Sequence, residues 1–138
     1  MKRVRRELVQ RWVTFWQDLL SLREWKIGFA LRDEEHFGHG DDTWYAECNV
    51  NAGRLETGIT LAAERLPDDI HETVCHELAH LSLTDLRVVF NTVLQSLPPG
   101  QADLARAMWD QREEQVARKL GRCMVRMRTA WHKGLSRP

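Results

Sequence analysis

Apolar positions fall into stripes whose period changes along the chain. From Val4 to Leu22, the residues Leu8, Trp12, Phe15, Trp16, Leu19 and Leu20 recur at three- and four-residue steps, which predicts an amphipathic helix with a broad core face. Trp25 to Arg32 alternates in part between apolar and polar and predicts a strand. A polar stretch from Asp33 to Asp42 follows, and then Thr43 to Asn51 and Leu55 to Leu61 predict two more strands joined by a turn at Asn51-Ala52-Gly53. Pro67-Asp68-Asp69 has the character of a helix start, with acids where the positive end of the helix dipole favours them, and a helix is expected from about Asp69 to Leu83. Asp85 to Leu97 predicts a further helix, ended by Pro98-Pro99-Gly100. From Ala102 to about Trp131 there is no proline and one glycine, Gly121, where a bend would fall. The stripe Trp109, Glu113, Val116, Leu120, Met124, Met127 and Trp131 predicts one long helix. No internal repeat is present.

The expected architecture is therefore α+β: an N-terminal helix, a small three-stranded sheet, a central helix, then two C-terminal helices. A chain of 138 residues suits a single domain, 1–138, and can bury about two-thirds of its unfolded surface. With 43% hydrophobic residues the composition argues against a disordered or collagen-like chain. Cys48, Cys75 and Cys123 are widely spaced, with no CxxC pair, so neither a zinc ribbon nor a disulfide framework is expected and a reducing, cytoplasmic setting is the simpler reading. No apolar run is long enough for a membrane span, and the first residues read as mature protein, not as a signal peptide. The oligomeric state is not legible.

The formal net charge is zero, yet charge is segregated. Asp33 to Asp85 holds 13 acids against two bases, leaving 7 acids against 18 bases elsewhere. Basic terminal helices packed around an acidic centre account for this. A basic face for nucleic acid is neither supported nor excluded by the balanced total.

The chemistry is carried by His76-Glu77-Leu78-Ala79-His80, an H-E-x-x-H pattern. On a helix, His76 and His80 stand one turn apart on the same face and can reach one ion, with Glu77 beside them. Neutral imidazole suits zinc, which takes a tetrahedral shell and in catalytic sites leaves one place for water. The metal would lower the pKa of that water toward ~7, and Glu77 would act as general base in attack on a carbonyl. At this chain's His and Glu frequencies the pattern is expected by chance only roughly 0.02 times.

A catalytic zinc usually has three protein ligands, so one lies outside the motif. Glu113 is the favoured third ligand, because a carboxylate on the apolar stripe with Trp109, Val116 and Leu120 needs a compensating positive charge. Glu114, about 100° further round the helix, is next; Asp85, His36 and His39 follow. Glu72, one turn before His76, is a candidate hydrogen-bond partner for a ligand histidine, or a first-turn acid answering the dipole. Tyr45 and His71 are candidate donors to an oxyanion, and Cys75 reads as core packing. The six tryptophans read equally as core or as partner surface.

These residues resemble the zincin metallopeptidases, specifically the gluzincin arrangement in which a downstream glutamate joins H-E-x-x-H. The chain is most similar to short single-domain zincin-like proteins of bacteria and their phages, through Glu72-Thr73-Val74-Cys75-His76-Glu77-Leu78-Ala79-His80 and Glu113-Glu114-Gln115-Val116. The resemblance implies a minimal zincin-like fold, Zn2+ held by His76, His80 and Glu113, Glu77 as general base, and a peptide or protein substrate. No metzincin histidine follows, the next one after His80 being His132. Two rivals stand beside this expectation. One is a regulatory protease with a single specific partner, such as a repressor-like protein. The other is a non-catalytic binding protein with a structural or vestigial zinc site.

Overall fold

In a computed structural model the protein is described over residues 6–33, 46–63 and 67–135, with 46, 47, 67, 68 and 131–135 described by backbone alone. The elements run α1 (Arg6–Leu19), β1 (Lys26–Arg32), β2 (Ala46–Asn51), β3 (Glu56–Ala62), α2 (Pro67–Ser82), α3 (Thr84–Leu94) and α4 (Pro99–Leu135). The α+β class, the element order and the three-stranded sheet agree with the sequence reading.

β3 is the middle strand, pairing parallel with β1 and antiparallel with β2. Its alternation explains the placement: Thr57, Ile59 and Leu61 turn inward and are buried, as a central strand requires. The link from β2 to β3 is a short 3-10 turn, Ala52–Arg54, with Asn51 Oδ1 accepting from the Arg54 amide at 3.2 Å.

α2 is the hub. Val74, Cys75, Leu78, Ala79 and Leu81 are essentially inaccessible, and the helix packs on α4, α1 and the sheet. α1 meets it through Val9, Trp12, Val13 and Trp16, whereas Phe15 and Leu19 of the expected stripe are 37% and 53% exposed. The core face of α1 is thus rotated toward the two valines. Trp12, Trp16 and Trp25 are core residues, and Trp109 stacks on Phe90 at 4.5 Å between ring centroids. Trp44 and the side chain of Trp131 lie outside the described residues.

Two features of α4 depart from expectation. It begins at Pro99, which serves as the first helical residue instead of a breaker, since that position needs no amide hydrogen. It also runs unbroken through Gly121, and its buried face is Glu113, Ala117, Gly121 and Met124, while Val116, Leu120 and Met127 are exposed. Small residues here let α4 lie close on α2. A Cβ at Gly121 would sit 3.1 Å from both the Cα and the amide nitrogen of His76. Among the described residues no helix is long and apolar enough to cross a membrane.

Candidate metal centre

His76 and His80 project from one face of α2, as their spacing requires, and α4 crosses that face. The two Nε2 atoms are 3.2 Å apart. Glu114 Oε2 lies 3.2 Å from His80 Nε2 and 3.5 Å from His76 Nε2. A tetrahedral zinc with bonds of ~2.0–2.1 Å holds its ligand atoms about 3.3–3.4 Å apart, so this triangle has the dimensions of one face of such a shell. Among the described residues, His76, His80 and Glu114 form the one cluster able to hold a metal ion, with ligand atoms within 4.8 Å of one another.

The second nitrogen of His80 strengthens this assignment. Nδ1 is 2.9 Å from Glu113 Oε1, and because a carboxylate only accepts, Nδ1 must donate. In the neutral ring Nε2 then carries a lone pair, aimed at the lone pairs of Glu114 Oε2. Two acceptors face each other at this distance only with a proton or a metal ion between them.

Glu113, the favoured third ligand in sequence, is therefore placed differently. Its side chain is 4% exposed, and Oε2 accepts from Arg87 Nε at 2.9 Å, from Arg87 Nη2 at 2.8 Å and from Trp109 Nε1. The sequence argument was that a buried carboxylate needs a cation. The cation it has is the guanidinium of α3, and its free edge orients His80 from the side away from His76. Glu114, not Glu113, joins the two histidines in the cluster, with Oε1 held by Arg118 at 3.0 Å and Oε2 turned to the histidines.

The electrostatics favour the metal-ready forms. Burial, reinforced by His80 and Arg118, holds His76 below the usual imidazole range against the pull of Glu114 and Glu72. Burial alone would raise Glu114, but His76, Arg118 and His80 together hold it below the usual carboxylate range. Glu77 is pushed up by burial, with a further push from Glu114 that His80 and Cys48 partly offset. A carboxylate with this appetite for a proton suits acid–base work.

Two contributors were not singled out by sequence: Arg87, and Gly121 as a contact residue. Arg87 did carry a signal, being the single base in the helix Thr84–Leu94. Other candidates fall elsewhere. Glu72 pairs with Arg122 of α4 at 3.5 Å. His71 is a core residue, stacked on Trp12 and accepting from Trp16 Nε1 at 3.0 Å. Asp85 is exposed in the first turn of α3, and Cys75 is fully buried. Tyr45, His36 and His39 lie outside the described residues.

Comparison with models of known protein families, with curated proteins and with solved structures finds no match for this chain. The zincin resemblance accordingly stands on the sequence motifs alone.

Proposed function

We propose that this chain is a zinc-dependent peptidase, with His76, His80 and Glu114 as ligands and Glu77 as general base. The observation that carries the reading is the triangle of two imidazole nitrogens and one carboxylate oxygen, with edges of 3.2, 3.2 and 3.5 Å, beside the half-buried Glu77. A divalent ion held there would supply a Lewis acid for a peptide carbonyl and acidify the water that attacks it. Glu77 takes the proton from the attacking water and returns it to the departing amine. Glu113 and Arg87 keep His80 oriented, and Arg118 keeps Glu114 turned inward.

The rival with a structural zinc needs a fourth protein ligand to close the shell. Among the described residues the cluster stops at three, which favours an open catalytic position. A protease restricted to one partner would use the same residues and differ only in what reaches them. The unpaired cysteines fit a reducing compartment such as the cytoplasm.

The test pairs metal content with hydrolysis. Elemental mass spectrometry on untagged protein should find about one zinc per chain. Glu114→Ala should lose that zinc, while Glu77→Gln should retain it and lose cleavage of a peptide library. Hydrolysis surviving in Glu77→Gln would remove Glu77 from its role. A wild type that binds no zinc when supplied with it would end the peptidase reading.

A further inference from the structure

The charge segregation seen along the chain acquires a direction in the fold. Between Gln115 and Ala130, α4 carries five bases, Arg118, Lys119, Arg122, Arg126 and Arg128, and no acid. Arg128 is turned inward, its guanidinium over the Trp12 ring and 3.3 Å from His71 Nε2. The other four are exposed, and helical geometry sorts them: Ala117, Gly121 and Met124 mark the buried side, and Lys119, Arg122 and Arg126 project from the opposite one. Arg112, exposed two turns before Lys119, continues the same line, so the crest from Arg112 to Arg126 is about 21 Å long at 1.5 Å per residue. Structural reasons for such a row are missing. The helix dipole favours cations near the C-terminus, but its effect fades within the last turn, and Lys119 and Arg126 stand at least nine residues before Leu135. Local pairing accounts for Arg118, on Glu114 at 3.0 Å, and for Arg122, 3.5 Å from Glu72. Among the described residues Lys119 and Arg126 have no acidic partner. Arg118, Arg122 and Arg126 also follow one another at four-residue steps, a spacing at which like charges destabilise a helix.

We infer that the crest of α4 is a docking surface for double-stranded nucleic acid, holding the phosphate backbone without reading sequence. Charge complementarity identifies the occupant. A duplex carries one negative charge per ~1.7 Å of its axis, so a crest of about 21 Å meets an unbroken run of phosphates. Three of its four cations are guanidiniums, whose planar fork matches phosphate oxygens, and Gln115 lies on the same line as a neutral donor. Single strands are held largely by stacking of bases on aromatic rings, and among the described residues the crest has none, which selects the duplex. A membrane surface is the poorer match. An interfacial helix sets a broad apolar face into the lipid, whereas α4 commits Ala117 and Met124 to the core and shows charge along its crest. The inference is independent of the peptidase reading, because it uses no residue of the metal cluster.

Fluorescence anisotropy of a labelled duplex of about 20 bp and arbitrary sequence tests this. The full chain should bind with a Kd of about 10⁻⁴–10⁻⁶ M near physiological salt, tighter at about 50 mM, and a second sequence should bind equally. The log–log salt slope should be about −3 to −4, as four phosphate contacts give. Lys119→Gln with Arg126→Gln should weaken binding by about tenfold and make the slope shallower by about two. Lys26→Gln with Arg54→Gln removes the same net charge from the end of the sheet and should leave the slope unchanged. Because Lys119 and Arg126 have no acidic partner to lose, the first double variant should melt no lower than wild type, which separates lost binding from lost folding. A wild type that ignores the duplex at about 50 mM salt, or equal losses in the two double variants, would overturn the inference. Capture by phosphatidylcholine vesicles with about 30% phosphatidylserine, without duplex binding, would assign the crest to a membrane instead.

Discussion

His80 Nδ1 lies 2.9 Å from Glu113 Oε1 while His80 Nε2 lies 3.2 Å from Glu114 Oε2, so two consecutive glutamates of α4 straddle one imidazole. Neighbouring residues on a helix project about 100° apart, and the ring of His80 stands in the gap between them. The two carboxylates therefore have separable jobs. Glu113→Gln should keep zinc stoichiometry but weaken affinity by about 10–100-fold, as loss of a partner behind a ligand histidine does. Glu114→Ala should abolish stoichiometric binding. Competition against a chromophoric chelator measures both, and equal losses in the two variants would refute the division.

Arg87 and Trp109 bear on stability through the same carboxylate. Glu113 is buried and Arg87 is half exposed, so Arg87→Met should destabilise by about 2 kcal/mol, less than the 3–5 typical of breaking a fully buried pair. Urea denaturation of Arg87→Met, Glu113→Gln and the double variant gives the coupling. Strict additivity would mean that Arg87 does not hold Glu113 in solution.

Gly121 offers a prediction whose sign is diagnostic. Replacing a glycine inside a helix by alanine ordinarily stabilises by up to ~1 kcal/mol. At Gly121 the added carbon would press on the His76 backbone at 3.1 Å, so Gly121→Ala should instead destabilise, by about 1–3 kcal/mol. Zinc affinity should fall with it, because α4 carries Glu114. A rise in melting temperature would show that the helices are not in this contact.

The pH dependence of the metal-free protein follows from Glu77. Its raised folded-state pKa means that the folded state binds the proton more tightly than the unfolded chain, so stability falls as pH rises through the window from about 4.5 to the raised value. Glu77→Gln removes a half-buried carboxylate that is ionised at high pH. The variant should melt higher than wild type at pH 8 with chelator present, and the gain should vanish at pH 4, where both side chains are neutral. A gain independent of pH would assign the effect to packing. His76 acts with the opposite sign, its lowered pKa removing stability as pH falls below the usual imidazole range, so the comparison between variants is needed to isolate Glu77.

Much of this arrangement was legible along the chain because it is local. Helical geometry alone puts His76 and His80 on one face, and alternation alone finds three strands, with ends differing from the observed ones by one residue at most among the described residues. Pro98-Pro99 was read as a break and proved to be a boundary, with Pro99 inside the new helix. These features depend on which residue follows which.

Choosing between Glu113 and Glu114 depended on something non-local, the rotation of α4 about its axis against α2. Hydropathy pointed to the face bearing Val116, Leu120 and Met127, all exposed, whereas the buried face runs through Ala117 and Gly121, one residue further along. Close helix contact selects small side chains, and small side chains leave almost no hydrophobic signal in sequence. The sequence by itself determined the fold class and the pair of histidines; the tertiary structure decided that Arg87 neutralises Glu113 and that Glu114 completes the triangle. Both relations join different elements of the chain, so only packing brings their charges and donors within reach of one another.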